Sequence, residues 1–102
     1  MSKYLLLGKL LAKQGSRDEL TSIMMRASAL MKEKADGCEL YLVGHSEGDE
    51  NAVFITELWT TKANHEASLM VEGVRDLIGE AIPILAEMPT KGQEIEVMST
   101  TL

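Results

Sequence analysis

The chain has 102 residues, a net charge of −6 and a single cysteine, and these values exclude several classes of protein. The length allows one domain, residues 1–102, with a core that needs no disulfides. An acidic surface disfavours nucleic acid, because binding to phosphates requires clustered Lys and Arg. The first residues do not have the basic-then-apolar pattern expected of a signal sequence, and no apolar run approaches the length that spans a bilayer. One cysteine suits a reducing compartment. We therefore expect a cytoplasmic protein that binds neither nucleic acid nor membrane.

The first third of the chain predicts a strand followed by a long helix. Tyr4 to Ala12 is a short, almost wholly apolar run, which is typical of a strand buried on both faces. Ser16 with Glu19 three residues later has the spacing of a capping box, so we expect a helix to begin there. Apolar side chains then recur at helical spacing, and Gly37 is expected to end the helix in a left-handed conformation.

The middle of the chain predicts a β-hairpin and then a second helical region. Residues 38–44 and 52–59 are rich in β-branched, aliphatic and aromatic side chains, and a polar turn separates them. Thr60 or Thr61 is expected to cap the helical region, which should run to about residue 87. Gly73 is expected to break it, and Pro83 should kink its last turns because proline lacks a backbone N–H.

The last segment completes the predicted fold. Residues 93–99 alternate between polar and apolar side chains, as a half-buried strand does. The order strand, helix, strand, strand, helix pair, strand is that of a ferredoxin-like α+β sandwich. In this fold a four-stranded antiparallel sheet carries its helices on one face.

The other face of this sheet is predicted to be too apolar to remain in water. Most strands carry apolar side chains on both faces, as at Leu40 beside Tyr41 and at Val53 beside Phe54. Monomers seldom expose a contiguous apolar patch larger than roughly a few hundred Å². We therefore expect a second copy of the chain to cover this face in a homodimer, with a lipid-like or peptide ligand as the alternative.

Part of the chain resembles the antibiotic biosynthesis monooxygenase family of dimeric α/β-barrel proteins. The resemblance rests on the following residues of the segment 57–85: Glu57-x-Trp59, Ala63-x-His65-x-x-Ser68-Leu69, Val74-Arg75, Ile78 and Ala81-Ile82-Pro83. It implies a homodimer whose two sheets face each other, with one pocket per subunit between sheet and helices. It also implies that dioxygen oxidises aromatic hydroquinones without metal, flavin or nicotinamide, as in quinol monooxygenases.

Oxygenation without a cofactor requires a base, a means of holding the substrate anion, and a dry apolar pocket. His65 is the best-placed base because imidazole titrates near neutral pH. Trp59 is the second candidate catalytic residue, since its ring offers a flat wall and its indole N–H can orient an oxygen atom. Glu57 shares a strand face with Trp59, and we expect it to bind substrate together with Tyr41 and Arg75.

Alternative roles and functions are open at this point. Trp59 is also a typical core residue, His65 is also typical of an exposed first helical turn, and Glu57 could simply pair with Arg75. Haem degradation is disfavoured because Leu69 stands where the haem-degrading relatives carry a histidine, and the first strand has no asparagine. The leading hypothesis is a cofactor-independent monooxygenase acting on a small hydroquinone or polyphenol. The alternatives are a non-catalytic dimeric module for small-molecule binding or stress response, and an isomerase of a small oxygenated metabolite.

Overall fold

The computed structural model describes residues 2–101, which form four strands and three helices. In chain order these elements are β1 (Lys3–Leu11), α1 (Arg17–Lys34), β2 (Cys38–Ser46), β3 (Asp49–Trp59), α2 (Lys62–Ser68), α3 (Val74–Ala81) and β4 (Gln93–Val97). A short 3₁₀ turn, Ile82–Ile84, follows α3. The predicted ferredoxin-like α+β architecture is confirmed. No helix within residues 2–101 is both long and apolar enough to cross a membrane.

The four strands form one antiparallel sheet in the order β2-β3-β1-β4. Glu57 of β3 is paired with Leu6 of β1 on one side and with Tyr41 of β2 on the other. Directly paired residues in a sheet share a face, so these three side chains lie in a row across its centre. Trp59 follows two residues later on the same face and is paired with Tyr4 and Cys38.

The helices lie on this same face and bury two hydrophobic clusters against it. In the first cluster Leu20 and Ile23 of α1 pack with Val53 and Ile55 of β3. In the second cluster Met31 and Val74 pack around Trp59. Alternation along the strands therefore directs one set of side chains into the helix layer, as the predicted sandwich requires.

The ends of α1 differ from the sequence prediction. Ser16 occupies the N-cap position, but its side chain makes no capping hydrogen bond, so the predicted capping box does not form. The helix ends because Ala35 takes an extended conformation (φ −92°, ψ 133°), so the prediction that a left-handed Gly37 ends it is wrong. Gly37 is nevertheless left-handed, at φ +79°, and a Cβ there would collide with Asn64 and Thr60. Its role is to seat the start of α2.

The second helical region is confirmed at its start and its break but is shorter than predicted. Thr61 is the cap, since its Oγ1 accepts a hydrogen bond from the Asn64 backbone N–H at 3.1 Å. Gly73 breaks the region with φ +97°. The prediction that Pro83 kinks a helix running to residue 87 is wrong, because α3 ends at Ala81 and Pro83 lies in the 3₁₀ turn.

The sheet face opposite the helices is apolar at its centre. We call this surface the far face, and it is formed by Leu5, Leu7, Leu40, Leu42, Phe54, Leu58, Ile95 and Val97. Leu42 is 52% exposed, and neither hydrophobic cluster includes any of these side chains. Tyr41 and Val43 are directed to the helix side instead and pack against the first cluster.

Candidate active site

A cavity of about 270 Å³ lies between the sheet and the helices. Three of the residues predicted for the site, Tyr41, Glu57 and His65, line it together with Ser68. Most of the remaining lining is aliphatic or methionine side chain from α1, α3 and the segment after α3. The sequence prediction of a mostly apolar pocket with a few polar groups is therefore realised in this space, as is usual for small-molecule sites.

Trp59 lies behind the cavity and does not line it. Its side chain is fully buried, and its indole N–H donates a hydrogen bond to Glu57 Oε1 at 3.1 Å. Trp59 therefore does not form the predicted wall of the pocket, because its ring is enclosed by the second hydrophobic cluster. Trp59 contacts the cavity lining through this hydrogen bond, which holds one carboxylate oxygen of Glu57.

His65 reaches the cavity from α2 and packs between two aromatic rings. Its ring centroid is 5.4 Å from that of Tyr4 and 5.6 Å from that of Trp59, the second contact being edge-to-face. Its Nε2 is 3.8 Å from Glu57 Oε1, which is an ion-pair distance and too long for a hydrogen bond. The packing places imidazole and carboxylate side by side at the cavity wall.

Burial moves both groups toward their uncharged forms. The Glu57 side chain is 13% exposed, and its pKa is raised by loss of water, an effect partly offset by the Trp59 hydrogen bond. The pKa of His65 is lowered by burial and by Lys62, with Glu66 and Glu94 acting in the opposite direction. Burial also raises the pKa of the Tyr41 hydroxyl, with the Glu57 charge acting in the same direction. At neutral pH these surroundings therefore favour the neutral imidazole of His65.

A second polar network supports His65 from behind and was not predicted. The Tyr4 hydroxyl donates to Glu94 Oε2 at 2.8 Å, and Glu94 also pairs with Lys62 at 3.1 Å and with Lys91 at 2.8 Å. These partners lower the pKa of Glu94 to about 2, while burial and Glu94 raise the pKa of Tyr4 to about 12. No signal in the sequence indicated it, because the alternation of β4 alone places the apolar Ile95 toward the core, whereas the strand pairing directs Glu94 to the helix side.

Arg75 does not contribute to the cavity. Val74 is buried, and Leu77 and Ile78 line the cavity, so the inward stripe of α3 is set by these residues. Arg75 is one residue after Val74, about 100° further around the helix, and its side chain is exposed. The alternative role for Glu57, a pair with Arg75, is also absent, because the Glu57 carboxylate contacts Trp59 and His65.

A metal centre is not formed by the described residues. Between residues 2 and 101, no group of three His, Cys, Asp or Glu side chains is placed to hold a metal ion. The chemistry available from the side chains is therefore that of an imidazole base, a buried carboxylate and a phenol around an apolar space.

Comparison with known proteins relates the chain to one family. The sequence model of the antibiotic biosynthesis monooxygenase family matches residues 4–80. A solved structure from Chloroflexus aurantiacus, described as a "putative antibiotic biosynthesis monooxygenase", is 31% identical, covers 98% of this chain and 97% of its own, and has a TM-score of 0.85. No curated protein matches the chain.

Two further solved structures share the fold at lower identity. A protein from Caulobacter crescentus with the same description is 14% identical, with a TM-score of 0.88 and coverage of 96% of this chain and 92% of that one. A protein of unknown function from Nitrosomonas europaea is 20% identical, with a TM-score of 0.82 and coverage of 100% and 95%. The family match spans well over half of the chain, and the resemblance seen in the segment 57–85 is confirmed. This chain belongs to the antibiotic biosynthesis monooxygenase family.

Proposed function

We propose that this protein is a monooxygenase that uses dioxygen and no cofactor to oxidise a small hydroquinone or polyphenol. The observation that carries the proposal is the adjacent pair of His65 and Glu57, 3.8 Å apart, at the wall of an apolar cavity. Family membership supports it, since relatives are described as putative monooxygenases. A phenol must lose a proton before it gives an electron to dioxygen readily, and a buried neutral imidazole is suited to accept that proton.

The reaction is balanced by the substrate and dioxygen alone. His65 takes a proton from one hydroxyl, and the resulting phenolate transfers electrons to dioxygen. A carbon–oxygen bond forms at the ring, and the oxygen–oxygen bond then breaks. One oxygen atom stays on the ring, which becomes a hydroxylated quinone, and the other leaves as water. The ring supplies all four electrons, so no external reductant is needed, and the apolar lining limits side reactions with water.

Glu57 is assigned the role of stabilising the protonated base. Once His65 carries a proton, an ionised Glu57 at 3.8 Å attracts and stabilises the positive imidazolium in a poorly solvated site. The Trp59 N–H bond to Oε1 favours the ionised carboxylate and fixes its position. Tyr41, on the neighbouring strand, lines the same space and is assigned a substrate contact.

We also propose that the protein is a homodimer joined through the far face. Its centre is apolar. Charged side chains of the same strands accompany this centre and form the ion pairs Lys3–Glu39 and Lys9–Asp49. An apolar centre with polar surroundings is the usual composition of a two-fold interface. A cytoplasmic location stays a prediction.

Oxygen uptake by the metal-stripped protein tests the proposed reaction. We expect a panel of hydroquinones to give uptake above the rate of spontaneous oxidation, equimolar with the hydroxylated quinone formed, and no product under nitrogen. Replacing His65 by Gln should lower the rate about a hundredfold or more. The matched control is His45→Gln, because His45 is exposed, does not line the cavity, and has its Nε2 2.7 Å from Thr21 Oγ1.

The same measurement separates an enzyme from a binding module. If no hydroquinone raises uptake above the background, the monooxygenase proposal fails. If the hydroquinones still bind in that case, and His65→Gln binds them equally well, the non-catalytic module is favoured instead.

A further inference from the structure

The cavity has two chemically different ends. Its polar lining residues, Tyr41, Glu57, His65 and Ser68, cluster where β2, β3 and α2 meet, and we call this the head end. Leu6 of β1 is paired with Glu57, and Leu10, four residues further along the strand, lines the opposite end. Four residues of β-strand span about 13 Å, so the cavity extends well beyond the space that one aromatic ring at the head end would fill.

The opposite end, which we call the tail end, is lined only by apolar groups. It is formed by Leu10, Ile23, Ala81, Ile82 and Leu85. Four of these residues belong to or pack against the first hydrophobic cluster, whereas Trp59 behind the head end belongs to the second. The tail end offers no donor or acceptor from these side chains, so a ligand atom there gains only by leaving water.

The cavity also opens to solvent through apolar side chains. Four lining residues are unusually exposed for their type: Leu69 at 54%, Ile78 at 47%, Ile82 at 45% and Met88 at 67%. Exposed apolar side chains around a cavity are favoured where an apolar ligand group covers them. Methionine suits such a position because its flexible thioether adapts to different shapes.

We propose that the substrate is an amphiphile, with a phenolic ring at the head end and an aliphatic tail in the tail end. The identity of the head group rests on the proposed function, whereas the tail follows from the lining of the cavity alone. A small ring without a substituent would leave the tail end, and the exposed apolar side chains at the opening of the cavity, without a ligand group to cover them. The substrate class is therefore an alkyl-substituted or prenyl-substituted hydroquinone or phenol.

Binding of 4-alkylphenols tests the proposal without requiring turnover. Methyl, propyl and hexyl members are titrated into the full-length protein by calorimetry under nitrogen. Each buried methylene is expected to raise the affinity about three- to fourfold. An affinity that does not rise from methyl to hexyl overturns the proposal.

Substitutions at the two ends locate the tail. Ile82→Gln and Met88→Gln should reduce the gain per methylene, whereas Met25→Gln, at a residue of α1 that is 61% exposed and does not line the cavity, should not. Glu57→Gln should change the affinity of all three phenols by one common factor. If Ile82→Gln, at the tail end, and Met88→Gln, at the opening of the cavity, both keep the full gain per methylene, the tail lies at neither place and the proposal is overturned.

The two proposals fail separately. A steep dependence on chain length without oxygen uptake by any hydroquinone contradicts the monooxygenase and supports the amphiphile site. Oxygen uptake without any dependence of affinity on chain length supports the monooxygenase and overturns the amphiphile.

Discussion

Glu57 is a residue whose surroundings disfavour its charged form. A carboxylate in the middle of a sheet, facing the helix layer, loses most of its water, and burial raises its pKa. The Trp59 N–H returns one hydrogen bond, at 3.1 Å. Removing the charge while keeping that acceptor is expected to increase the free energy of unfolding, because a charge is no longer buried. A residue whose replacement stabilises the fold is usually one that is kept for function.

The pH dependence of turnover follows from the surroundings of His65. Burial lowers its pKa below the ordinary value of 6.5, so the imidazole stays unprotonated to lower pH than a free histidine. Because the base must be unprotonated, kcat/KM should rise with pH through a midpoint below 6.5 and then level off. Initial rates measured from acidic to neutral pH, with the His45→Gln variant as control, check this. A midpoint clearly above 6.5 would contradict His65 as a base in this environment.

The site residues could be predicted from the sequence only as far as strand alternation reaches. The spacing of Glu57 and Trp59 correctly placed both on one face, and the cap at Thr61 correctly started the helix that carries His65. Alternation does not say how deep a side chain lies, so it could not show that Trp59 is enclosed behind Glu57. The sequence could not show that Arg75 lies away from the cavity for a related reason. Its position on the exposed side of α3 depends on which neighbouring residues face the cavity.

At the scale of elements, the position of α2 depends on a contact with the turn before β2. Gly37 approaches Thr60 and Asn64 so closely that no side chain fits, and the Thr60 N–H donates to the Gly37 carbonyl at 2.9 Å. Asn64 directly precedes His65, so this contact lies next to the residue that carries the imidazole. The sequence predicted a special glycine at this position but for a local reason, because the contact joins segments distant in sequence.

A pair of glycine substitutions separates this contact from backbone strain. Gly15 and Gly37 both have a left-handed conformation, at φ +83° and +79°, but a Cβ on Gly15 meets nothing within 4 Å. Gly15→Ala should therefore cost about 1 kcal/mol of unfolding free energy, from the backbone alone. Gly37→Ala should cost about 2–4 kcal/mol, because the clash is added, and should also lower turnover by displacing α2. Chemical denaturation checks both values, and equal losses for the two variants would rule out the contact as the cause.

The element boundaries were least predictable where two signals competed. Ser16 begins α1 as expected, yet its side chain makes no capping hydrogen bond. Leu85 has an extended backbone and forms an antiparallel β-bridge with Ala12. This pairing ends the helical region sooner than the apolar periodicity predicted. Local sequence patterns gave the type and order of the elements, whereas tertiary contacts set their ends.

At the scale of the whole molecule, the helices cover one face of the sheet, and none of the helices within residues 2–101 covers the other. The architecture was predictable because short apolar or alternating runs, typical of strands, are separated from longer segments in which apolar residues recur at helical spacing. Which residues form the far face was harder to predict, because the strands are apolar on both sides. The register of the strands was needed to assign Tyr41 and Val43 to the helix layer. The remaining apolar side chains form a continuous patch across all four strands.

A charged residue in this patch should separate the proposed dimer. Leu42 is 52% exposed in the single chain, so Leu42→Glu should leave the fold intact, as circular dichroism would verify. In a two-fold interface each substitution occurs twice and buries two like charges, so dimer affinity should fall at least about a hundredfold. Sedimentation at micromolar concentration should then give a mass near 11.2 kDa for this variant and twice that for the wild type. Met25→Glu, on α1 and 61% exposed, should remain a dimer. A wild-type protein that sediments as a monomer, or a Leu42→Glu variant that remains dimeric, would show that the far face is not where two chains meet.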